Sequence, residues 1–414
     1  MLVSRCLFVL LSAAVPAQTI LVPSPGNPNL VVAVANAPPG SVLELDLTIP
    51  HYAGALVDKP LTIQGAGGGV GVILFSDFDP YGLRISALGG GRVVLRNIRI
   101  DALLFDPFLY PSVTPPALDI NLPATESGSI LLDNVRAAGV RGAGARVAAG
   151  PAVRVVIRDG WFVGGTGVIP PPTPGGIVGG DGASITASGE CLIERSSFFG
   201  GLGGHSEWYG PIGPQPGAHP GGRGLFLAAP LAALVDCDVI DGAGGSIYFN
   251  TYTGPASPCA YVGPGGMSLL SGDMFDVTVQ NGAPGNAPGC SPGLAPPPYS
   301  LGAGRQDLRT PIAQLQAGVS STIDVRIPPA GFTWVAYAAS LHQQWVPVLL
   351  STTYVDQVVF LEFVGGSVGG GFVSHAFPFI AGPVAQDLDV FLQTVHLDGL
   401  LRLGTPASVT VYRY

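Results

Sequence analysis

The sequence predicts an all-β protein: a parallel β-helix followed by a small antiparallel β-sandwich. Three observations predict it. A short unit of apolar, charged, apolar and glycine residues recurs along the chain up to about residue 280. The chain holds 61 glycines and 40 prolines, yet its mean hydropathy is +0.44. After residue 304 the pattern changes to alternation of apolar and polar residues. Turn-formers mixed with β-branched residues indicate many short strands. The apolar content supplies the core that a disordered Gly/Pro-rich chain lacks.

The N-terminus reads "MLVSRCLFVLLSAAVPAQ". Arg5 gives a positive start, Cys6 to Val15 an apolar run, and small residues precede Gln18, which together predict a secretory signal peptide over 1–17. The apolar run is too short to span a bilayer. The expectation is an exported mature chain, secreted or in the cell envelope, monomeric and with no transmembrane segment. The formal net charge is −9 and Lys59 is the only lysine. That excludes the clustered basic footprint of a nucleic-acid binder.

The repeat comes next. It reads "LRNIRI" from Leu95, "LDNVRAAG" from Leu132, "IRDGWFVGG" from Ile157, "IERSSFFGG" from Ile193, "VDCDVIDGAGG" from Val235 and "FDVTVQNGAPG" from Phe275. The steps between anchors are 37, 25, 36, 42 and 40 residues. A variable step suits stacked coils with loops of unequal length, and fixed-length propeller blades are excluded. The anchors are expected to stack inside the coil. The next residues (Arg96, Asp133, Arg158, Glu194, Asp236, Asp276) are expected to point outward in one column. Asn97, Asn134 and Asp159 follow, and these residue types tolerate the left-handed backbone of a sharp turn.

The coils typified by "GGDGASITASGECLIERSSFFGGLGG" (179–204) resemble the right-handed parallel β-helix proteins of the pectin-lyase-like superfamily. More closely, they resemble glycine-rich exported bacterial β-helix proteins with a C-terminal β-sandwich module. The resemblance covers roughly residues 40–300, so the β-helix is expected over 18–300. It implies a fold that hosts lyases, hydrolases, epimerases and adhesins alike.

Four cysteines follow the signal segment: Cys191, Cys237, Cys259 and Cys290. In the repeat register Cys191 and Cys237 differ by four positions, about 13 Å along a strand, too far for a disulfide. Cys259 and Cys290 fall in neighbouring loops and are expected to pair. "CSPGLAPPPYSLGAG" (290–304) reads as a linker. Beyond it about seven alternating runs over 305–414 suit a β-sandwich. The closing "FLQTVHLDGLLRLGTPASVTV" resembles the module that ends those exported families. His342, His375 and His396 are widely spaced there and are expected in core or surface positions.

Two sets of residues carry chemistry. The outward acids Glu194, Asp236 and Asp276, with Arg195 beside them, are the catalytic candidates. A lyase of the resembled kind needs acidic calcium ligands and a basic residue, and a hydrolase needs paired carboxylates. Asp236 with Asp238, and Asp77 with Asp79, are short acidic pairs for calcium; no other cofactor is expected. The second set lies in "GGHSEWYGPIGPQPGAHPGGRG" (203–224): His205, Glu207, Trp208, Tyr209, His219 and Arg223. Tyr248 and Tyr252, one coil on, are expected beside it and complete an aromatic platform for a sugar. His205, Glu207 and His219 could also gather a metal. The reading is an exported, non-enzymatic β-helix protein that binds polysaccharide or a cell-surface glycan. The alternatives are a diverged polysaccharide lyase or glycoside hydrolase, and a structural or tethering protein.

Overall fold

The computed structural model describes residues 18–412, apart from 27, 75–81, 102–114, 168–177, 205, 209–218, 230, 245–246, 250–267, 270–272, 283–296, 303–305, 311–313, 317–320, 347–350 and 378–387. The signal segment, Asp77, Asp79, Cys259 and Cys290 therefore lie outside the described residues. The chain is all-β, with one α-helix among the described residues, Leu30–Asn36. From Thr19–Val22 to Val277–Gln280 parallel strands stack coil upon coil. One sheet of seven strands runs from Ala55–Val57 to Ser268–Leu269. The larger sheet bends along its middle, so the coil presents three faces. The first face includes Leu61–Gly65, Val153–Arg158, Cys191–Glu194 and Ala232–Val235. The second includes Trp161–Val163, Ser197–Phe199 and Asp238–Ile240. The third is the seven-stranded sheet.

The bend is a column of left-handed residues. Asn97, Asn134, Asp159, Arg195, Asp236 and Asp276 have φ of 51°, 51°, 50°, 46°, 54° and 51°. The column expected from three residues thus continues through six coils. It also corrects the register of the last two. Ile193 pairs with Leu234, and Leu234 with Met274. Leu234 and Met274, not Val235 and Phe275, therefore continue the inner column of Leu95, Leu132, Ile157 and Ile193. Asp236 and Asp276 move to the bend, and Glu194 lies in register with Val235 and Phe275. The acidic run is therefore not a single column.

Both ends of the coil are covered. The helix Leu30–Asn36 buries Leu30, Ala33 and Val34 at the first rungs. Asn29 caps its N-terminus by accepting from the Val32 amide at 2.9 Å. Lys59 closes its C-terminus, donating to the carbonyls of Ala35 and Ala37 at 2.9 and 3.0 Å. At the far end Tyr299–Leu301 pairs antiparallel with Val277–Gln280, so part of the linker stretch is a strand.

Glycines line the border between the second and third faces. The amides of Gly165, Gly180, Gly201, Gly222 and Gly242 donate in turn to the carbonyls of Gly142, Gly165, Gly180, Gly201 and Gly222, at 2.8–2.9 Å. Chain leaving one face interleaves with chain entering the next. A Cβ at Gly180 or Gly201 would overlap the backbone of the neighbouring leg. The "GG" of each repeat is a close-approach signal.

The C-terminal module has a three-stranded sheet (Leu308–Arg309, Thr322–Ile327, Gly371–Ala376) and a five-stranded one (Gln314–Gln316, Leu401–Tyr412, Leu388–Leu397, Gly331–Val346, Ser351–Ser367). Pairing is antiparallel except between Gln314–Gln316 and Leu401–Tyr412. Ile323, Val325, Val335, Tyr337, Val390, Leu392 and Val409 fill the space between the sheets. The alternate residues of the larger sheet, Ala336, Ala338 and Phe391, pack instead on Val94, Leu131, Val156, Leu192 and Ala233 of the coil. The first face is thus buried on both sides, which explains near-continuous apolar runs such as "AALV".

Candidate functional site

The columns that reach the outside of the coil decide where a ligand could meet it. On the first face, the column Glu44, Gln64, Arg96, Asp133, Arg158 and Glu194 is polar. It runs through Gln64 to Glu44 at 2.9 Å, Arg96 to Gln64 at 3.1 Å and Arg158 to Asp133 at 3.1 Å. Arg158 and Asp133 are both fully buried, since the C-terminal module covers them. Arg158 also donates to the Thr410 hydroxyl at 2.9 Å, and Arg92 pairs with Asp389 at 2.8 Å. Glu194 accepts from the amide and hydroxyl of Ser408. Burial raises its carboxyl above the ordinary range, opposed by the charges of Arg195 and Arg158 and by the Ser408 bonds.

The structure keeps two of the four catalytic candidates together, Glu194 and Arg195, as an ion pair at 3.8 Å, and places Asp236 and Asp276 in the bend column. Glu194 is 1% exposed, under the module. Arg195 spans the seam, bound to Asp159 at 2.9 Å and to the Thr310 hydroxyl at 2.8 Å. Asp276 accepts from the Gln306 amide at 3.3 Å. Asp236 alone is exposed, at the bend. Among the described residues no group of three or more His, Cys, Asp or Glu side chains is placed to hold a metal.

The second face is open. Its outward columns are Arg99, Arg136, Trp161, Ser197 and Asp238, and beside them Asp101, Ala138, Val163, Phe199 and Ile240. The inward residues between them, including the stacked pair Phe162 and Phe198 at 5.4 Å, belong to the core. Trp161 is 42% exposed and its ring lies 5.6 Å from that of Phe199 on the next coil. This makes an aromatic shelf one rung from Arg136, with Ser197 and Asp238 on the following rungs. Aromatic area beside hydrogen-bonding groups is what a sugar face requires. The outward carboxylates of this face, Asp101 and Asp238, are four rungs or about 19 Å apart, well beyond the spacing of a glycosidase pair.

The loops expected side by side do meet. Ser206–Trp208 and Ile247–Phe249 form a two-stranded parallel sheet, with Glu207 opposite Tyr248 and Trp208 opposite Phe249. Their side chains, and His205, Tyr209 and Tyr252, lie outside the described residues. His219 is half-buried and its amide donates to the Gly204 carbonyl at 3.2 Å. Arg223 is held by Asp181 at 2.6 Å and lies over the Phe226 ring, 4.5 Å from its centre. Sequence reasoning missed Trp161, Phe199 and Arg136. The alternation in "GWFVGG" marks Trp161 as outward once Phe162 is placed inside, and that signal was available.

Of the cysteines, Cys191 and Cys237 are buried free thiols. No helix among the described residues is long and apolar enough to cross a membrane. A comparison with known family models matches none of them, and no curated protein matches the chain.

Proposed function

We propose that this protein is an exported, non-enzymatic β-helix protein of the cell surface or envelope that binds glycans, built on the right-handed coil of the pectin-lyase-like kind. The observation that carries the reading is the exposed Trp161–Phe199 shelf on the one open face of the larger sheet. The paired strands Ser206–Trp208 and Ile247–Phe249 bring the two loops side by side and support it. Support also comes from the acids of the first face. Glu194 is engaged in holding the two parts of the chain together, and Asp133 is held by Arg158 beneath the module.

The test is a glycan array and a polysaccharide-depolymerisation screen on residues 18–414, with and without calcium. Binding without release of unsaturated or reducing ends, weakened at least about tenfold by Trp161→Ala, is the expected result; a stacked aromatic contributes on the order of 1 kcal/mol or more. Turnover abolished by Asp236→Ala would replace this reading with the lyase or hydrolase one. No binding across a broad panel would leave the tethering role.

A further inference from the structure

We infer that Arg141 is the receptor of an oxyanion site, taking a carboxylate, sulfate or phosphate group at the turn between the second and third faces of the coil. The argument is one of charge. Among the described residues, Arg136 and Arg141 are the arginines whose side chains make no hydrogen bond, ion pair or ring contact. Arg136 is exposed, and water serves it. Arg141 is only 6% exposed. The other buried arginines, Arg96 and Arg158, share Asp133. Arg141 thus lacks the carboxylate that offsets desolvation for the other two. It stands out in a chain with 27 acids for 18 bases, where a carboxylate partner is plentiful.

Burial lowers the Arg141 pKa, and no neighbouring carboxylate offsets this. A guanidinium in that position matches an anion with two oxygens, through paired N–H donors. The backbone that carries it is fixed. The Gly139 amide donates to Val163 at 2.9 Å, Gly165 donates to Gly142 at 2.9 Å, and Gly144 donates to Asp181 at 3.0 Å. The Val140–Arg141 peptide lies against Gly165 so closely that a Cβ there would overlap it. A receptor on rigid backbone needs little ordering to bind. The inference does not depend on the glycan reading.

The test is thermal unfolding of residues 18–414 in sodium sulfate or phosphate, against sodium chloride at equal ionic strength. Wild type, Arg141→Gln and Arg141→Lys are compared, so the general salting effect of sulfate cancels between proteins. A bound anion raises Tm in a saturating way. The wild type is expected to show that rise, Arg141→Gln to lose it, and Arg141→Lys to keep it at roughly tenfold weaker affinity. In chloride, Arg141→Gln is expected to melt at or above the wild-type temperature, because an unpaired buried charge has gone. Glucose 6-phosphate, set against phosphate and glucose, separates the sources. A rise at concentrations where phosphate gives none assigns the anion to a larger molecule, and equal rises assign a free ion. The inference is overturned if wild type responds to none of these probes, or if Arg141→Gln keeps the response. It is also overturned if Arg141→Gln melts lower or fails to fold in chloride, since that assigns Arg141 a structural role.

Discussion

Glu194 and Ser408 are 214 residues apart in sequence, and the buried carboxylate of the first accepts both the amide and the hydroxyl of the second. That contact joins the repeat to the C-terminal module. It sits on a polar column that would otherwise be solvated, and around it Val94, Leu131, Val156 and Leu192 meet Ala336, Ala338 and Phe391. The module is thus a cover for one face of the coil as well as a sandwich in its own right. Covering that face leaves the second face, with Trp161, as the larger sheet's surface toward solvent.

The first prediction concerns pH. Burial raises the Glu194 carboxyl above its ordinary value of 4.5. The folded state therefore holds a proton that the unfolded chain has released, in the interval between the two values. Stability from this group is fully present below the unfolded value and is lost as pH rises through the folded one. Glu194→Gln removes the dependence. The expected outcome is that wild type loses stability relative to Glu194→Gln as pH rises from about 4.5 towards neutrality, read from urea unfolding at several pH values. Parallel curves for the two proteins would refute it.

The second prediction separates the members of the buried pair. Arg158→Met leaves Asp133, which has no exposure, short of a partner. Removing one member of a buried ion pair costs about 3–5 kcal/mol. The double variant Arg158→Met with Asp133→Leu removes both charges of the pair and is expected to recover part of the loss, because Arg96, which shares Asp133, loses that carboxylate while keeping its bond to Gln64. The Thr410 hydroxyl, also bound to Asp389 at 2.6 Å, keeps one partner in both variants. A double-mutant cycle by denaturant unfolding gives the coupling, and additive losses would refute the assignment.

The fold was legible because its signals are periodic. The repeat from Leu95 to Phe275 marks the coils, and Asn97, Asn134 and Asp159 mark the bend. The register of Val235 and Phe275 was misread by one residue. The first face is buried on both sides, so Leu234 and Val235 are equally apolar and alternation cannot say which points inward. The charged column misled for the same reason. Arg158 and Glu194 read as solvent-facing because their partners, Thr410 and Ser408, lie more than 200 residues away. Asp236 and Asp276 joined the acidic run only through that slip. Trp161 was legible in principle, since it alternates with the core residue Phe162.

A third prediction tests the thiols. Cys191 and Cys237 are buried, and burial pushes both thiols up to about 12. The thiolate is the reactive form. Neither residue is expected to react with iodoacetamide at pH 8 in the native protein, and both are expected to react after denaturation. Mass-spectrometric mapping of labelled peptides checks this, and native labelling of either would refute it. The same map reads the state of Cys259 and Cys290.

The last prediction concerns Asp236, because two accounts of this residue give different results. The enzymatic account makes it catalytic. The structure puts it at the bend, exposed, with φ of 54°. A left-handed backbone costs an ordinary side chain about 1–2 kcal/mol, and aspartate less. Asp236→Gly is then expected to be neutral or to stabilise slightly, because glycine relieves the strain but loosens the unfolded chain. Asp236→Val, with a β-branched side chain, is expected to destabilise by about 1–2 kcal/mol. Asp236→Asn should match wild type. Thermal unfolding of the three variants gives the ranking. A ranking in which valine is no worse than glycine would refute the turn assignment. If it holds, loss of an activity in Asp236→Ala must be judged against Asp236→Asn, which removes the charge and keeps the turn.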